Sequence, residues 1–248
     1  MGSNFGEEGR RLSYGSYLKI PELLSLQECL TEAHDELLFI AVHQAYELWF
    51  KVLLQELEAV RDRMQLDDTF WSRHALRRVS VIWRLLIEQV EVLETMSPQD
   101  FLAFRSELAP ASGFQSIQFR EIEFISSLKN PSYLKRLEAS PEEQARLRRR
   151  LEEPTLWDAF CALVERRGSP SLEEVFKRRD LHGELFDLSE GLLDHDESFA
   201  LWRSRHVLMV ERQIGSKTGT GGSTGAQYLR STLDKRFFPE LWAVRSRL

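Results

Sequence analysis

The chain has 248 residues, with 33 Lys and Arg against 39 Asp and Glu, a formal net charge of −6 and a pI near 5.6. That length buries a sizeable core without staples, and the acidic balance excludes the basic footprint of a nucleic-acid or anionic-membrane binder. Cys29 and Cys161 are the only cysteines and form no CxxC spacing; this excludes a disulfide framework and a thiolate zinc site, and with no signal region or apolar run of roughly 18 residues it predicts a soluble protein of the reducing cytoplasm.

Residues 1–11 are polar and glycine-containing and are expected to be disordered. Tyr14 and Tyr17 follow around Gly15, then Pro21 opens a short helix. From His34 to Met64 the first half is apolar on nearly every face, through Leu37, Leu38, Phe39, Ile40, Ala41, Val42, Leu48, Trp49 and Phe50. This predicts a central helix enclosed by others. A break at Leu66–Asp68 leads to a second long helix over 69–96, with Leu76, Val79, Ile82, Trp83, Leu86, Val90 and Leu93 on one face.

Ser97 and Pro98 form an N-terminal cap signature for a short helix that ends before Pro110, and 114–128 reads as another helix. Residues 130–179 turn rich in Arg and Glu, punctuated by Pro131, Pro141, Pro154 and Pro170, and are expected to form a peripheral helical insertion in which LRRRLEE is a solvated face. Two helices are expected over 181–193 and 199–214, then the glycine-rich loop 215–225, a helix over 226–235, and an aromatic tail with Phe237, Phe238 and Trp242. No period-two strand pattern and no repeat is present, so the class is all-α in one domain over 1–248.

Two isolated imidazoles on apolar helices carry the chemistry. His43 has Phe39 one turn before it and Glu47 one turn after; His206 lies between Trp202 and Val210. Each alone reads as a satisfied core histidine at about two to one, whereas the pair asks for a joint explanation. A di-iron bundle needs inward Glu-x-x-His motifs, which are missing, as is HExxH. An apolar helical enclosure with a histidine on its wall suits haem, for which the two imidazoles supply an axial and a distal group. The loop KTGTGGSTG lacks the GxxxxGK[ST] order of a phosphate loop and reads as a lid or a close backbone approach. Arg105, within DFLAFR, requires an anion, either an internal carboxylate or that of a ligand.

Long segments in order, LSYGSYL, HDELLFIAVHQAYELWFK, DFLAFRSELAPASGFQSIQFR and RHVLMVERQIGSKTGTGGSTG, make the chain resemble the tryptophan 2,3-dioxygenase family over most of its length; 130–199 is weakly diagnostic. The resemblance implies a helical bundle around a b-type haem with His206 as axial iron ligand and O2 as co-substrate. It makes His43 the catalytic distal histidine beside the indole N–H, as orienter or base, within a substrate-binding run Phe39, Ile40, Ala41, Val42, His43. It assigns Arg105 to the substrate carboxylate, Thr220 to the amino-acid end, and Ser112 and Gly113 to the distal haem face. Phe101 is placed beside the carboxylate, where many bacterial members carry a tyrosine. Tyr14, Tyr17 and Leu18 match a segment that enters the neighbouring subunit's site in a homotetramer built as a dimer of dimers. The implied reaction inserts O2 across the indole C2–C3 bond of L-tryptophan to give N-formyl-L-kynurenine, first step of the kynurenine pathway. The alternative is a haem enzyme on the same scaffold acting on another indole or aromatic amino acid.

Overall fold

A computed structural model describes residues 12–137, 139–168, 171–222 and 224–248; the expectation for residues 1–11 lies outside them. Its helices are α1 Tyr14–Leu18, α2 Ile20–Leu23, α3 Glu36–Gln65, α4 Thr69–Glu94, α5 Pro98–Arg105, α6 Ile117–Ile125, α7 Tyr133–Arg136, α8 Pro141–Glu152, α9 Leu156–Arg166, α10 Leu172–Lys177, α11 Arg179–Ile214, α12 Ala226–Arg230 and α13 Pro239–Val244. Among the described residues there is no strand, and the all-α reading holds.

Three long helices set the frame, with α4 packed against both α3 and α11. The turn between α3 and α4 passes through Asp67 in the left-handed region (φ +63°), and Asp68 caps α4 by accepting from the Trp71 N–H at 3.1 Å. The α4 stripe foreseen from its period is buried from Leu76 to Leu93; it meets Leu53, Leu57 and Val60 of α3 and Leu185, Leu188, Leu192 and Phe199 of α11 in one core. Ser97 with Asp100, and Ser140 with Glu143, form the reciprocal caps that open α5 and α8.

Past a kink at His182, one helix runs unbroken to Ile214, through the gap expected between 193 and 199. The polar run Asp194–Ser198 reads as a link, yet its buried members are satisfied from outside the helix. His195 accepts from Trp83 Nε1 at 3.0 Å and pairs with Ser126 Oγ at 2.8 Å. Asp196 accepts from the Phe237 and Phe238 N–H groups and from Trp242 Nε1. The aromatic tail is thereby tied to α11. The helix expected over 226–235 stops at Arg230, and the carbonyls of Thr232 and Lys235 accept from Arg203 instead. That expected over 114–128 is split at Ser116, whose hydroxyl caps α6.

In the first half of 130–179, α7 and α8 pack with α6 around a small separate cluster. The second half places Leu156, Phe160 and Leu163 of α9 in the principal core. LRRRLEE is not wholly a solvated face: Arg150 is buried and bonded to Glu58, Glu121 and Glu153, tying α8 to α3 and α6. The expected enclosure of α3 is also incomplete within one chain, because Leu37 and Leu48 are 51% and 53% exposed. By length and composition α3 is the one helix, among those described, able to cross a membrane, and here it packs against α4, α6 and α9.

Candidate active site

A cavity of about 510 Å³ opens between α3, α5, α11, the 112–116 turn and the glycine-rich loop, within the ~300–1,000 Å³ typical of ligand and cofactor pockets. Phe39, His43, Phe101, Arg105, Ser112, Gly113, Thr220 and His206 all line it. Eight positions spread over most of the sequence are thus brought together.

On the α3 wall, His43 Nδ1 lies 2.7 Å from the Phe39 carbonyl. A carbonyl only accepts, so Nδ1 carries the proton and the neutral ring leaves Nε2 as an acceptor. Burial holds this imidazole below its ordinary value, against smaller opposing pulls from the Phe39 carbonyl and Glu47. Phe39 lies against His43 at 4.0 Å between centroids and stacks on Phe101 at 5.7 Å, which makes a flat apolar slot beside the acceptor. Glu47 also faces the cavity, its carboxylate fixed by Gln118 Nε2 at 2.8 Å.

On the α11 wall, the His206 ring stacks on Trp202 at 5.1 Å with 8° between planes, and no hydrogen bond holds it among the described residues. Burial, then the nearby His43, push its pKa down to about 4. The imidazole is neutral at working pH, with its lone pair available.

The mouth is built by Arg105 and the loop. Arg105 Nη2 donates to the Thr218 carbonyl, and Thr220 Oγ1 donates to the Ala111 carbonyl at 2.6 Å. Among the described residues no carboxylate lies within ion-pair distance of Arg105; of the two anions open to it, the internal one is not there. Gly221 lets the loop lie on Ser112: a Cβ at that position would sit 2.7 Å from Ser112 Cβ. Gly225, at φ +60°, is similarly tight, with a built Cβ 2.5 Å from the Lys217 carbonyl.

Ile40, Ala41 and Val42 do not line the cavity. Successive helix positions turn by about 100°, so only Phe39 and His43 of that run, four apart, share the inner face; Val42 points into the core and its carbonyl accepts from Gln89. Tyr14, Tyr17 and Leu18 stay outside as well, at 79%, 69% and 42% exposure.

A family model described as Tryptophan 2,3-dioxygenase matches residues 1–176 and 171–248. The chain belongs to the tryptophan 2,3-dioxygenase family. A protein of that name from Nocardioides sp. is 53% identical, with 99% of this chain and 98% of its own length covered. Those from Herpetosiphon aurantiacus and Caulobacter vibrioides are 46% and 41% identical, each over 96% of this chain and 98% of their own.

Tryptophan 2,3-dioxygenase implies haem and O2, and the cavity's chemistry fits such a group. Among the described residues no cluster of three or more His, Cys, Asp or Glu is placed to hold a bare metal ion. A porphyrin supplies its own equatorial nitrogens and asks the protein for an axial ligand and an apolar enclosure. His206, neutral and without a hydrogen-bond partner among the described residues, beside Trp202, Val210 and other apolar side chains, would fit both demands. Trp202, Phe119 and Glu47, with no role assigned from sequence, also line the cavity. The signal for Trp202 and Glu47 was their one-turn spacing from the two histidines.

Proposed function

We propose that the whole chain acts as one catalytic domain, with 130–179 as an appended helical segment, and inserts both atoms of O2 across the indole C2–C3 bond of L-tryptophan. The product is N-formyl-L-kynurenine, and the reaction opens tryptophan catabolism by the kynurenine pathway. The observation that carries the reading is the single cavity in which a neutral His206, an acceptor on His43 and an Arg105 without an internal carboxylate converge.

His206 is the residue to hold haem b, which when bound supplies O2 binding and activation. The remaining work belongs to side chains that hold the substrate. Arg105 clamps the α-carboxylate, a charge-assisted contact for which its fork is shaped. Thr220 holds the amino-acid end on the loop that covers it, and Phe39 with Phe101 flank the indole. Phe101 offers no hydroxyl to the carboxylate, which leaves that duty to Arg105. His43 Nε2 accepts the indole N–H and so fixes which edge of the ring faces the reacting oxygen. Ser112 and Gly113, which line the cavity, would lie beside the haem on the substrate's side, and the loop excludes water from the closed site.

The active species is a homotetramer, a dimer of dimers, in which Tyr14, Tyr17 and Leu18 reach the neighbouring subunit's site. Support comes from α1 and α2, which have no buried residue, and from the open apolar face of α3. A cytoplasmic location agrees with the acidic charge and the two free cysteines.

The test is a single turnover. The haem-loaded, reduced protein is mixed with L-tryptophan and ¹⁸O₂, and the product is weighed. N-formylkynurenine carrying both labelled atoms is the expected result; haem binding without that product transfers the assignment to another indole or aromatic amino acid.

A further inference from the structure

Two arginines without a part in this scheme also face the cavity. Arg203 precedes His206 by one turn on α11, and Arg120 projects from α6; they are 4% and 6% exposed. Both depend on one carboxylate, that of Glu123, itself 6% exposed and on the same wall. Arg120 Nη1 donates to Glu123 Oε2 at 2.6 Å, and Arg203 Nη2 to Glu123 Oε1 at 3.2 Å. The other partners are neutral: Tyr133 Oη for Arg120, and the Thr232 and Lys235 carbonyls for Arg203. The nearby buried carboxylate of Asp196 attracts Arg203 through its charge, but its oxygens accept from three N–H donors, none of them a guanidinium, and it does not line the cavity. Two guanidiniums share one bonded carboxylate, so the cavity-facing group is one directly bonded anion short. Arg120 Nε is moreover buried with no acceptor, a state that persists only where something else satisfies it.

The missing partner is an anionic oxygen acceptor delivered from the cavity side. A substrate amino acid brings one carboxylate, and Arg105 at the mouth is matched to it. Haem brings two propionates on an otherwise apolar disc. We infer that Arg120 and Arg203 seat one haem propionate, with Glu123 holding the two guanidiniums apart and aimed at it. The inference rests on the haem reading of this cavity. It makes the cluster a docking point for the acid edge of the cofactor, separate from the substrate's own clamp.

The test uses the full-length chain loaded with iron protoporphyrin IX or with its dimethyl ester, in which both propionates are uncharged. Release to excess haem-free myoglobin is followed in the Soret band. A charge-assisted contact to a buried guanidinium corresponds to roughly a 10- to 100-fold effect. The ester should therefore leave the wild-type protein that much faster than the free acid. Arg120→Gln should accelerate loss of the free acid by a similar factor and leave the ester's rate unchanged. Equal release of the two porphyrins from wild type overturns the inference, as does equal acceleration of both by Arg120→Gln, which marks a packing role over the Phe114, Phe119 and Tyr133 rings. If Arg120→Gln does not fold, the wild-type comparison and Arg203→Lys decide. Retention of neither porphyrin by wild type sinks the haem reading itself.

Discussion

Adding one methyl group at Gly221 tests whether the loop positions the substrate clamp. The built Cβ would stand 2.7 Å from Ser112 Cβ, where carbon pairs settle at about 3.5–4.0 Å, so the two segments must part by roughly 1 Å. Overpacking of this kind costs about 1–3 kcal/mol. The loop carries both Thr220, bonded to the Ala111 carbonyl, and the Thr218 carbonyl that receives Arg105, so the cost falls on the amino-acid end of the site. Gly221→Ala should raise KM for L-tryptophan about 10- to 100-fold, with haem content and Tm close to wild type. Steady-state formation of N-formylkynurenine across substrate concentration measures it. Ser112→Gly in the same chain removes the clashing carbon, and costs only a few tenths of a kcal/mol in capping; it should recover most of the loss. A normal KM in Gly221→Ala, or a double variant no better than the single, would refute the idea that this contact sets the clamp.

Arg105→Gln should raise KM for L-tryptophan roughly 10- to 100-fold and leave tryptamine, which lacks the carboxylate, unaffected; an equal penalty on both rules out a carboxylate clamp. Because burial depresses the His43 pKa, its ring stays neutral at neutral pH, and kcat/KM should fall only as pH drops below the ordinary imidazole value near 6.5, when Nε2 gains a proton and no longer accepts. An acid limb centred above 6.5, or one that survives in His43→Ala, contradicts this. His195 is buried and neutral with its pKa pushed to about 3. Its contribution to stability is complete above about 6.5 and is lost as pH falls from there toward 3, at up to about 1.4 kcal/mol per pH unit. His195→Asn should flatten the slope in denaturant titrations between pH 6 and 4, and an unchanged slope would show that other groups carry it. Deleting residues through Leu18 should weaken substrate binding while leaving haem bound, as read by tryptophan titration of the Soret band; unaltered affinity would end the case for the exchanged segment.

The long helices α3 and α4 are legible because their apolar periods exceed six turns, and the short α5 and α8 because Ser97 and Ser140 cap their starts. Local signals misled where distant partners decide. Asp194–Ser198 looks like a link until Trp83, Ser126 and the aromatic tail are brought to His195 and Asp196. The face of α3 bearing Leu37 and Leu48 looks enclosed because periodicity reports apolarity and is blind to whether the cover comes from the same chain. In the site, the motifs mark Phe39, His43, Arg105, Thr220 and His206, whereas Ile40, Ala41 and Val42 follow only from adjacency, which helical geometry does not respect. Arg120 and Glu123 lie one turn apart on α6 and Arg203 far away on α11, and only the fold makes them one group.

The cavity's order of assembly has a consequence for biosynthesis. Its walls begin at Phe39 and close only with Thr220, Tyr228 and Thr232, while the Asp196 tie needs the backbone of Phe237 and Phe238. A growing chain therefore has no finished pocket until residues through Thr232 and Phe238 have left the ribosome. A chain that terminates soon after residue 214 keeps the His206 imidazole but lacks the walls that Thr220, Tyr228 and Thr232 supply.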